Sequence, residues 1–120
     1  MSKLRVKRVY DEPSSADGYR VLVDRLWPRG VSKERAQLDA WNKDLAPSAK
    51  LRKWFNHDPE KFTEFSAQYE AELSENKAIA AFLATIKTLK TVTLLYGAKD
   101  PQINHAVVLQ RFLQSKSKER

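Results

Sequence analysis

The chain has 120 residues, enough for one domain with a single core, and its 42% hydrophobic and 31% charged residues are ordinary globular usage. It contains no cysteine, which excludes disulfides and thiolate chemistry and favours a reducing compartment, so we expect a cytoplasmic protein. An excess of 22 Lys and Arg over 15 Asp and Glu gives a net charge of +7, which favours phosphate-bearing or acidic partners without identifying one.

The first residues lack the apolar core of a signal peptide, and no segment has the apolar length of a membrane span, so we expect no membrane association. Residues 3–10 alternate apolar and basic side chains, which predicts an edge strand with one solvent-facing side. Residues 11–18 are rich in Pro, Ser, Asp and Gly and predict a loop.

Residues 19–24 contain three consecutive aliphatic side chains, which is typical of a central strand covered on both faces. Pro28 and Gly30 then lead the chain out of the sheet. Ser32 is a candidate N-cap for a helix through roughly Asp39 to Lys43, and Ser48 for a second helix with Leu51, Trp54 and Phe55 on one face.

Asp58-Pro59 marks a helix start, followed by aromatic and aliphatic residues at helical spacing up to Leu73. A further helix is predicted over residues 75–89 and a β-branched, apolar strand over residues 91–96. Asp100-Pro101 predicts the start of a final helix. We expect one domain over residues 1–114 and a frayed basic tail over residues 115–120.

Strand segments separated by helical segments favour a small layered α/β domain, with a mostly parallel sheet of few strands flanked by helices. In such folds ligands collect beyond the carboxyl ends of the strands, where helix amino termini favour negative charge. Two predicted strands deliver polar and aromatic side chains to that position: Asp24, Arg25, Trp27 and Arg29 after the first, and Tyr96, Lys99, Asp100, Asn104 and His105 after the second.

If the two strand ends are neighbours, Arg25, Arg29 and Lys99 converge on a cleft for a phosphate- or carboxylate-bearing ligand. The alternative is that Asp24 and Arg25 belong to a structural ion network. His105 falls near the start of the last helix, where the dipole favours a neutral ring, and with Asp24 it is the candidate catalytic pair. A structural hydrogen-bonding role for His105 stays open.

Metal and cofactor sites are not predicted. His57 and His105 are far apart and have no zinc-binding spacing. The tryptophans lie among apolar or turn residues, so they are expected in the core or in cleft walls, with Trp27 able to lie beneath a ligand.

The runs VLVDRLWPRG (21–30), WNKDLAPS (41–48) and LLYGAKD (94–100), closing with Asn104-His105-Ala106, resemble the YeaO-like branch of the domain of unknown function 488 family. The resemblance covers nearly the whole chain and implies a small bacterial-type α/β domain, without an established activity. Broader relatives resemble this chain with Cys-His-Arg near residues 104–106 and often a Cys where Tyr96 stands. The family motifs nominate Asp24, Arg25, Trp27, Pro28, Arg29, Trp41, Lys43, Asp44, Pro47, Ser48, Trp54, Phe55, His57, Tyr96, Lys99, Asp100, Asn104 and His105.

Three functions therefore remain open. The first is a cleft for a small anionic ligand, with or without catalysis. The second is a nucleic-acid surface built on the basic charge, for which no recognition motif appears. The third is a module that presents a basic or aromatic face to an acidic protein. Oligomeric state is not encoded in any recognisable pattern.

Overall fold

The computed structural model describes the backbone of residues 3–118 and the side chains of residues 3–116. The helices are α1 (Lys33–Ala36), α2 (Ala49–Phe55), α3 (Phe62–Ser74), α4 (Ala78–Ile86) and α5 (His105–Lys118), with short 3₁₀ turns at Ser15–Asp17, Lys43–Leu45 and Pro59–Lys61. The strands are β1 (Lys3–Arg8), β2 (Tyr19–Leu22), β3 (Ala40–Trp41) and β4 (Thr91–Tyr96).

The four strands form one sheet in the order β1-β4-β2-β3, and every pair is parallel. The predicted α/β class, the edge position of β1 and the interior position of β2 are confirmed. Between β1 and β2, β4 is buried along nearly its whole length. Its β-branched and apolar composition fits that position, because a strand covered on both faces has no solvent side for polar residues.

The two faces of the sheet are covered differently. Alternate strand residues, among them Val21, Val92 and Leu94, pack against apolar side chains of α2 to α5 in the main core. The opposite face carries a small cluster of Val9, Leu22 and Leu95, against which four further side chains pack, three from irregular segments and one from β3: Tyr10, Trp27, Leu38 and Trp41. No helix in residues 3–118 is long and apolar enough to cross a membrane.

The second face is also held by a buried ionic cluster around Asp17. The Asp17 carboxylate accepts hydrogen bonds from Lys7 Nζ at 3.0 and 3.1 Å and from the Arg20 guanidinium, and it is fully buried. Arg20 also donates to the carbonyls of Ala36 and Gln37. One guanidinium thereby ties β2 to the Ser15–Asp17 turn and to the end of α1.

The helix predicted after Ser32 is much shorter than expected. Ser32 does cap α1, but Gln37 takes a left-handed conformation with φ of 47° and ends the helix there. The chain then pairs with β2 as the short strand β3, which the sequence did not predict. Asp39 assists this pairing, because its Oδ2 accepts a hydrogen bond from Arg20 N at 2.8 Å.

Two other boundaries differ from prediction. Helix α4 covers only Ala78–Ile86, inside the predicted residues 75–89. The last helix does not start at Asp100; Asn104 caps it, with Oδ1 accepting from Val107 N at 3.1 Å. It continues to Lys118, so residues 115–118 of the predicted tail are helical, and residues 119 and 120 lie outside the described part.

Replacing Asp17 by Asn should lower the free energy of unfolding by about 3–5 kcal/mol, because the buried Arg20 charge loses its counter-ion. Chemical denaturation of wild type and variant measures the difference. Asp11→Asn is the matched control, since Asp11 is exposed. Equal stability of the two variants would contradict the assignment of Asp17 as the centre of the cluster.

Lowering the pH should remove the stabilisation that the Asp17 carboxylate provides. Burial alone raises the pKa of Asp17, but hydrogen bonds from Lys7, from the Ser14 backbone and from Arg20 outweigh it and hold that pKa below 3.8. The stabilisation is therefore complete above the unfolded-state value and is lost as the pH falls through the lowered folded-state value. The stability gap between wild type and Asp17→Asn should narrow below about pH 4, and a gap that is constant down to pH 2 would refute this.

Candidate functional site

The ends of β2 and β4 lie side by side. Their register pairs Leu22 with Leu95, and Val23 N donates to Leu95 O at 3.0 Å, one residue past the end of β2. Asp24 then reaches across to β4, where its Oδ2 accepts from Gly97 N at 2.9 Å. The two loops that were expected to form one cleft are therefore joined by a direct hydrogen bond.

This hydrogen bond explains the glycine at position 97. A Cβ added to Gly97 would lie 3.0 Å from Asp24 Oδ2, closer than side-chain carbons normally approach an oxygen. Any larger residue would push the carboxylate away from the backbone N–H that it accepts from. The φ of Gly97 is not in the left-handed region, so close approach, not backbone conformation, accounts for the glycine.

His105 closes the floor of the cleft from the amino end of α5. Its Nε2 lies 3.0 Å from Val23 O and 3.1 Å from Asp24 Oδ1. Hydrogen-bond geometry is met at the carbonyl and not at Oδ1, which is buried and accepts no hydrogen bond from the described residues. Because a carbonyl oxygen only accepts, Nε2 is the donor in this hydrogen bond.

Tyr69 of α3 packs against the imidazole of His105. The Tyr69 ring meets the His105 ring edge-on, with centroids 6.1 Å apart, and the Tyr69 hydroxyl donates to Leu45 O. Burial raises the pKa of Tyr69 well above its ordinary value. Tyr69 is therefore neutral at physiological pH, and it lies in the core behind His105.

Asp24, Gly97 and His105 line a cavity of about 670 Å³, which is large enough for a drug-sized molecule. Apolar and aromatic side chains are part of its lining, and we call five of them the apolar wall: Trp27, Pro28, Phe55, Phe65 and Ile103. Phe55 and Phe65 are stacked, with centroids 4.1 Å apart, and both belong to the main core. These two rings are therefore held in place by the helix packing.

Three cationic side chains line the same cavity. Arg25 donates from Nε and Nη2 to Pro47 O at 3.3 and 3.2 Å. Arg52 lies on α2, and its Nε is buried without a hydrogen-bond partner in the described part of the chain. Lys99 is exposed. Among residues 3–116, none of the three forms an ion pair with a carboxylate.

Seven of the nine residues predicted from sequence line this cavity: Asp24, Arg25, Trp27, Lys99, Asp100, Asn104 and His105. Arg29 and Tyr96 do not. The Arg29 side chain is exposed, and its backbone carbonyl accepts from the Tyr10 hydroxyl at 2.9 Å. Tyr96 is buried in the main core, and burial is the main reason that its pKa is raised.

Asp100 and Asn104 shape the loop between β4 and α5. Asp100 Oδ1 accepts from the backbone N–H groups of Gln102 and Ile103 at 2.8 and 3.1 Å. Asn104 is 1% exposed; besides capping α5 it donates from Nδ2 to Asp100 O at 2.8 Å. Both side chains are engaged with backbone, so their contribution to the cleft is to fix its shape.

Sequence reasoning missed Arg52 and Phe65 as members of the cleft and nominated His57 only through the family motifs. A signal for Arg52 was present, because it lies three residues before Phe55 on the same helix face. Phe65 looked like an ordinary core residue, which it also is. No group of three or more His, Cys, Asp or Glu in the described residues could hold a metal ion.

Replacing Asp24 by Ala should leave Gly97 N–H without its acceptor and lower the free energy of unfolding by about 1–3 kcal/mol. Hydrogen exchange of the Gly97 amide, followed by NMR, should become at least about tenfold faster. Asp44→Ala is the control, because the Asp44 side chain is exposed and is not part of the cavity lining. Unchanged exchange at Gly97 in Asp24→Ala would show that the hydrogen bond does not join the loops.

Comparison with known proteins places the chain in a family. The model of the family described as "Inactive DUF488-N3 subclade" matches residues 3–120. The chain is 46% identical over 112 residues to "Uncharacterized protein YeaO" of Escherichia coli K12, covering 93% of this chain and 97% of the relative. It is 39% identical over 115 residues to "Uncharacterized protein Rv3073c" of Mycobacterium tuberculosis H37Rv, covering 96% and 97%.

No solved structure matches the chain. The family model and the two relatives agree with one another and span almost the entire sequence. The chain belongs to the YeaO-like branch of the domain of unknown function 488 family, within the subclade described as inactive DUF488-N3.

Proposed function

We propose that the cleft binds a small organic anion, a phosphate or carboxylate carried on an apolar body, without covalent chemistry by the protein. The observation that carries this proposal is that Arg25, Arg52 and Lys99 line one cavity and have no carboxylate partner among residues 3–116. Cations gathered without counter-ions raise the local concentration of anions and favour binding one of them.

The two carboxylates that line the cleft, Asp24 and Asp100, form no salt bridge with these cations. Asp24 is bound to Gly97 N–H, and Asp100 is bound to two backbone N–H groups in its own loop. Arg25 is held by the Pro47 carbonyl, which orients the guanidinium and leaves its charge without a carboxylate partner. An oriented guanidinium can meet a phosphate or carboxylate with two parallel hydrogen bonds.

The apolar wall argues for an organic ligand and against a bare inorganic ion. Trp27, Phe55 and Phe65 present aromatic carbon to the same cavity that the cations line. Trp27 is fixed by two interactions. Its Nε1–H donates to Val31 O, and its ring meets the Trp41 ring edge-on with centroids 5.3 Å apart. A hydrophobic group on the anion would cover this surface and gain about 1.5–3 kcal/mol from burial.

A binding role agrees with the family description as inactive and with the lack of any cysteine that could act as a nucleophile. Under this proposal His105 and Asp24, the candidate catalytic pair, form the floor of the site and contact the ligand there. The absence of cysteine also favours a reducing cytoplasm as the setting.

The rival nucleic-acid hypothesis requires basic side chains free to contact phosphates along one face. Five basic side chains donate hydrogen bonds to backbone carbonyls of their own chain: Arg5 to Ala16, Arg8 to Ala98, Arg20 to Ala36, Arg35 to Tyr10 and Lys61 to Trp54. Part of the positive charge therefore anchors loops, and what favours the cleft beyond this is the grouping of Arg25, Arg52 and Lys99 in one cavity lining.

Isothermal titration with phenyl phosphate and inorganic phosphate tests the proposal. Phenyl phosphate should bind, and at least about tenfold more tightly than inorganic phosphate, because only the ester reaches the aromatic wall. Arg25→Gln and Arg52→Gln should each weaken phenyl phosphate binding about tenfold or more, through loss of a charge-assisted hydrogen bond.

Arg29→Gln is the matched control, since it removes the same charge from a side chain outside the cavity lining. Its affinity should stay within about twofold of wild type, as expected for an exposed charge screened by salt. Equal losses in all three variants, or tight single-stranded DNA binding that phenyl phosphate does not compete, would overturn the proposal. Release of phosphate from phenyl phosphate that is lost in His105→Asn would favour the enzymatic alternative.

A further inference from the structure

His57 has an unusual backbone conformation for a residue that lines a cavity. Its φ is 57°, and the preceding Asn56 has a φ of 45°, so two consecutive non-glycine residues are left-handed. In L-residues this conformation crowds Cβ against the backbone and is disfavoured, although Asn and His tolerate it better than most. Asn56 has an evident reason for it, because it is the C-cap of α2 and donates from its N–H to Arg52 O.

Nothing within the described chain accounts for histidine at position 57. The turn itself, closed by Asp58 N donating to Phe55 O at 2.9 Å, would form equally well with glycine. The His57 side chain is exposed and makes no hydrogen bond or ion pair with the described residues. Its one ring contact is a tilted approach to Phe55 at 6.3 Å between centroids.

The position of His57 in the cavity lining offers a reason for histidine at this point of the chain. It lines the cavity together with Arg52 and Phe55, which precede it on α2. A residue that keeps a disfavoured backbone without burial or hydrogen bonding in its own chain is typical of a functional position. An imidazole there offers a hydrogen-bond donor to the same cavity that Arg52 lines.

We infer that His57 is a ligand-contacting residue of the cleft, whose imidazole donates a hydrogen bond to the anionic group held by Arg52. This inference rests on the proposed anion site and adds to it a specific residue. If the left-handed backbone at His57 is retained for ligand binding, a substitution that relieves it should raise the stability of the protein and lower its affinity for the ligand.

Three variants separate backbone strain from side-chain contact. His57→Gly relieves the left-handed backbone and removes the imidazole. His57→Asn removes the imidazole but retains a side chain that tolerates this conformation. Gln37→Gly is the matched control, because Gln37 is left-handed with a φ of 47° at the end of α1, outside the cavity lining.

The melting temperature and the phenyl phosphate dissociation constant are measured for each variant. We expect His57→Gly to melt about 2–4 °C higher and to bind about tenfold more weakly. His57→Asn should bind about tenfold more weakly with its melting temperature changed by less than about 1 °C. Gln37→Gly should melt higher and bind like wild type.

If His57→Gly and His57→Asn bind phenyl phosphate as tightly as the wild-type protein does, the inference is overturned. The proposed anion site would still stand in that case, because the wild-type protein binds the ligand. A melting temperature that falls in His57→Gly and rises in Gln37→Gly would also overturn it, because His57 would then not be strained. If the wild-type protein binds neither phenyl phosphate nor inorganic phosphate, the proposed site fails and the role of His57 fails with it.

Discussion

The hydrogen bond between the Asp24 carboxylate and Gly97 N–H joins the two loops on which the candidate site depends. It becomes possible because β2 and β4 are parallel neighbours that end at the same edge of the sheet. Parallel pairing brings two carboxyl ends together, and the helix that follows β4 adds its amino end at the same place. Two further hydrogen bonds support the same junction: Val23 N donates to Leu95 O, and His105 Nε2 lies 3.0 Å from Val23 O.

Basic side chains occur in two different settings in this protein, one buried and one lining the cleft. On the second sheet face, Lys7 and Arg20 surround one buried carboxylate and hold irregular segments against the strands. In the cleft, the cations lack such a carboxylate and line open space instead. The first arrangement satisfies each buried charge internally, as stability requires. The second leaves charge available, which is the property expected of a surface that recognises an anion.

The sequence was informative where chemistry and local conformation coincide. The aliphatic run of β2 predicted an interior strand, the β-branched, apolar run of β4 predicted a strand, and the residues just after both predicted seven of the residues that line the cavity. The failures have tertiary causes. Strand β3 has two residues, too few for a periodic pattern, and it forms because Gln37 ends α1 early and Asp39 accepts from Arg20 N.

Other differences come from competition between equally good local signals. Asp100-Pro101 and Asn104 are both acceptable helix starts, and the packing of the loop selected Asn104, which is buried while Asp100 stays exposed. Arg29 was separated from Arg25 by only a few residues, yet the turn through Pro28 directs it away from the cavity. Phe65 lies on another helix from Arg52 and Phe55, and its place in the core pattern gave no sign that it also lines the cleft.

The most direct test of the central claim is an NMR titration of the uniformly ¹⁵N-labelled protein with phenyl phosphate. We predict saturable shifts of the amides around Asp24, Gly97 and His105, with the β1 edge and the Asp17 cluster unaffected. Shifts that are absent, or that spread over the basic surface without saturating, would contradict the existence of one anion site between these strand ends.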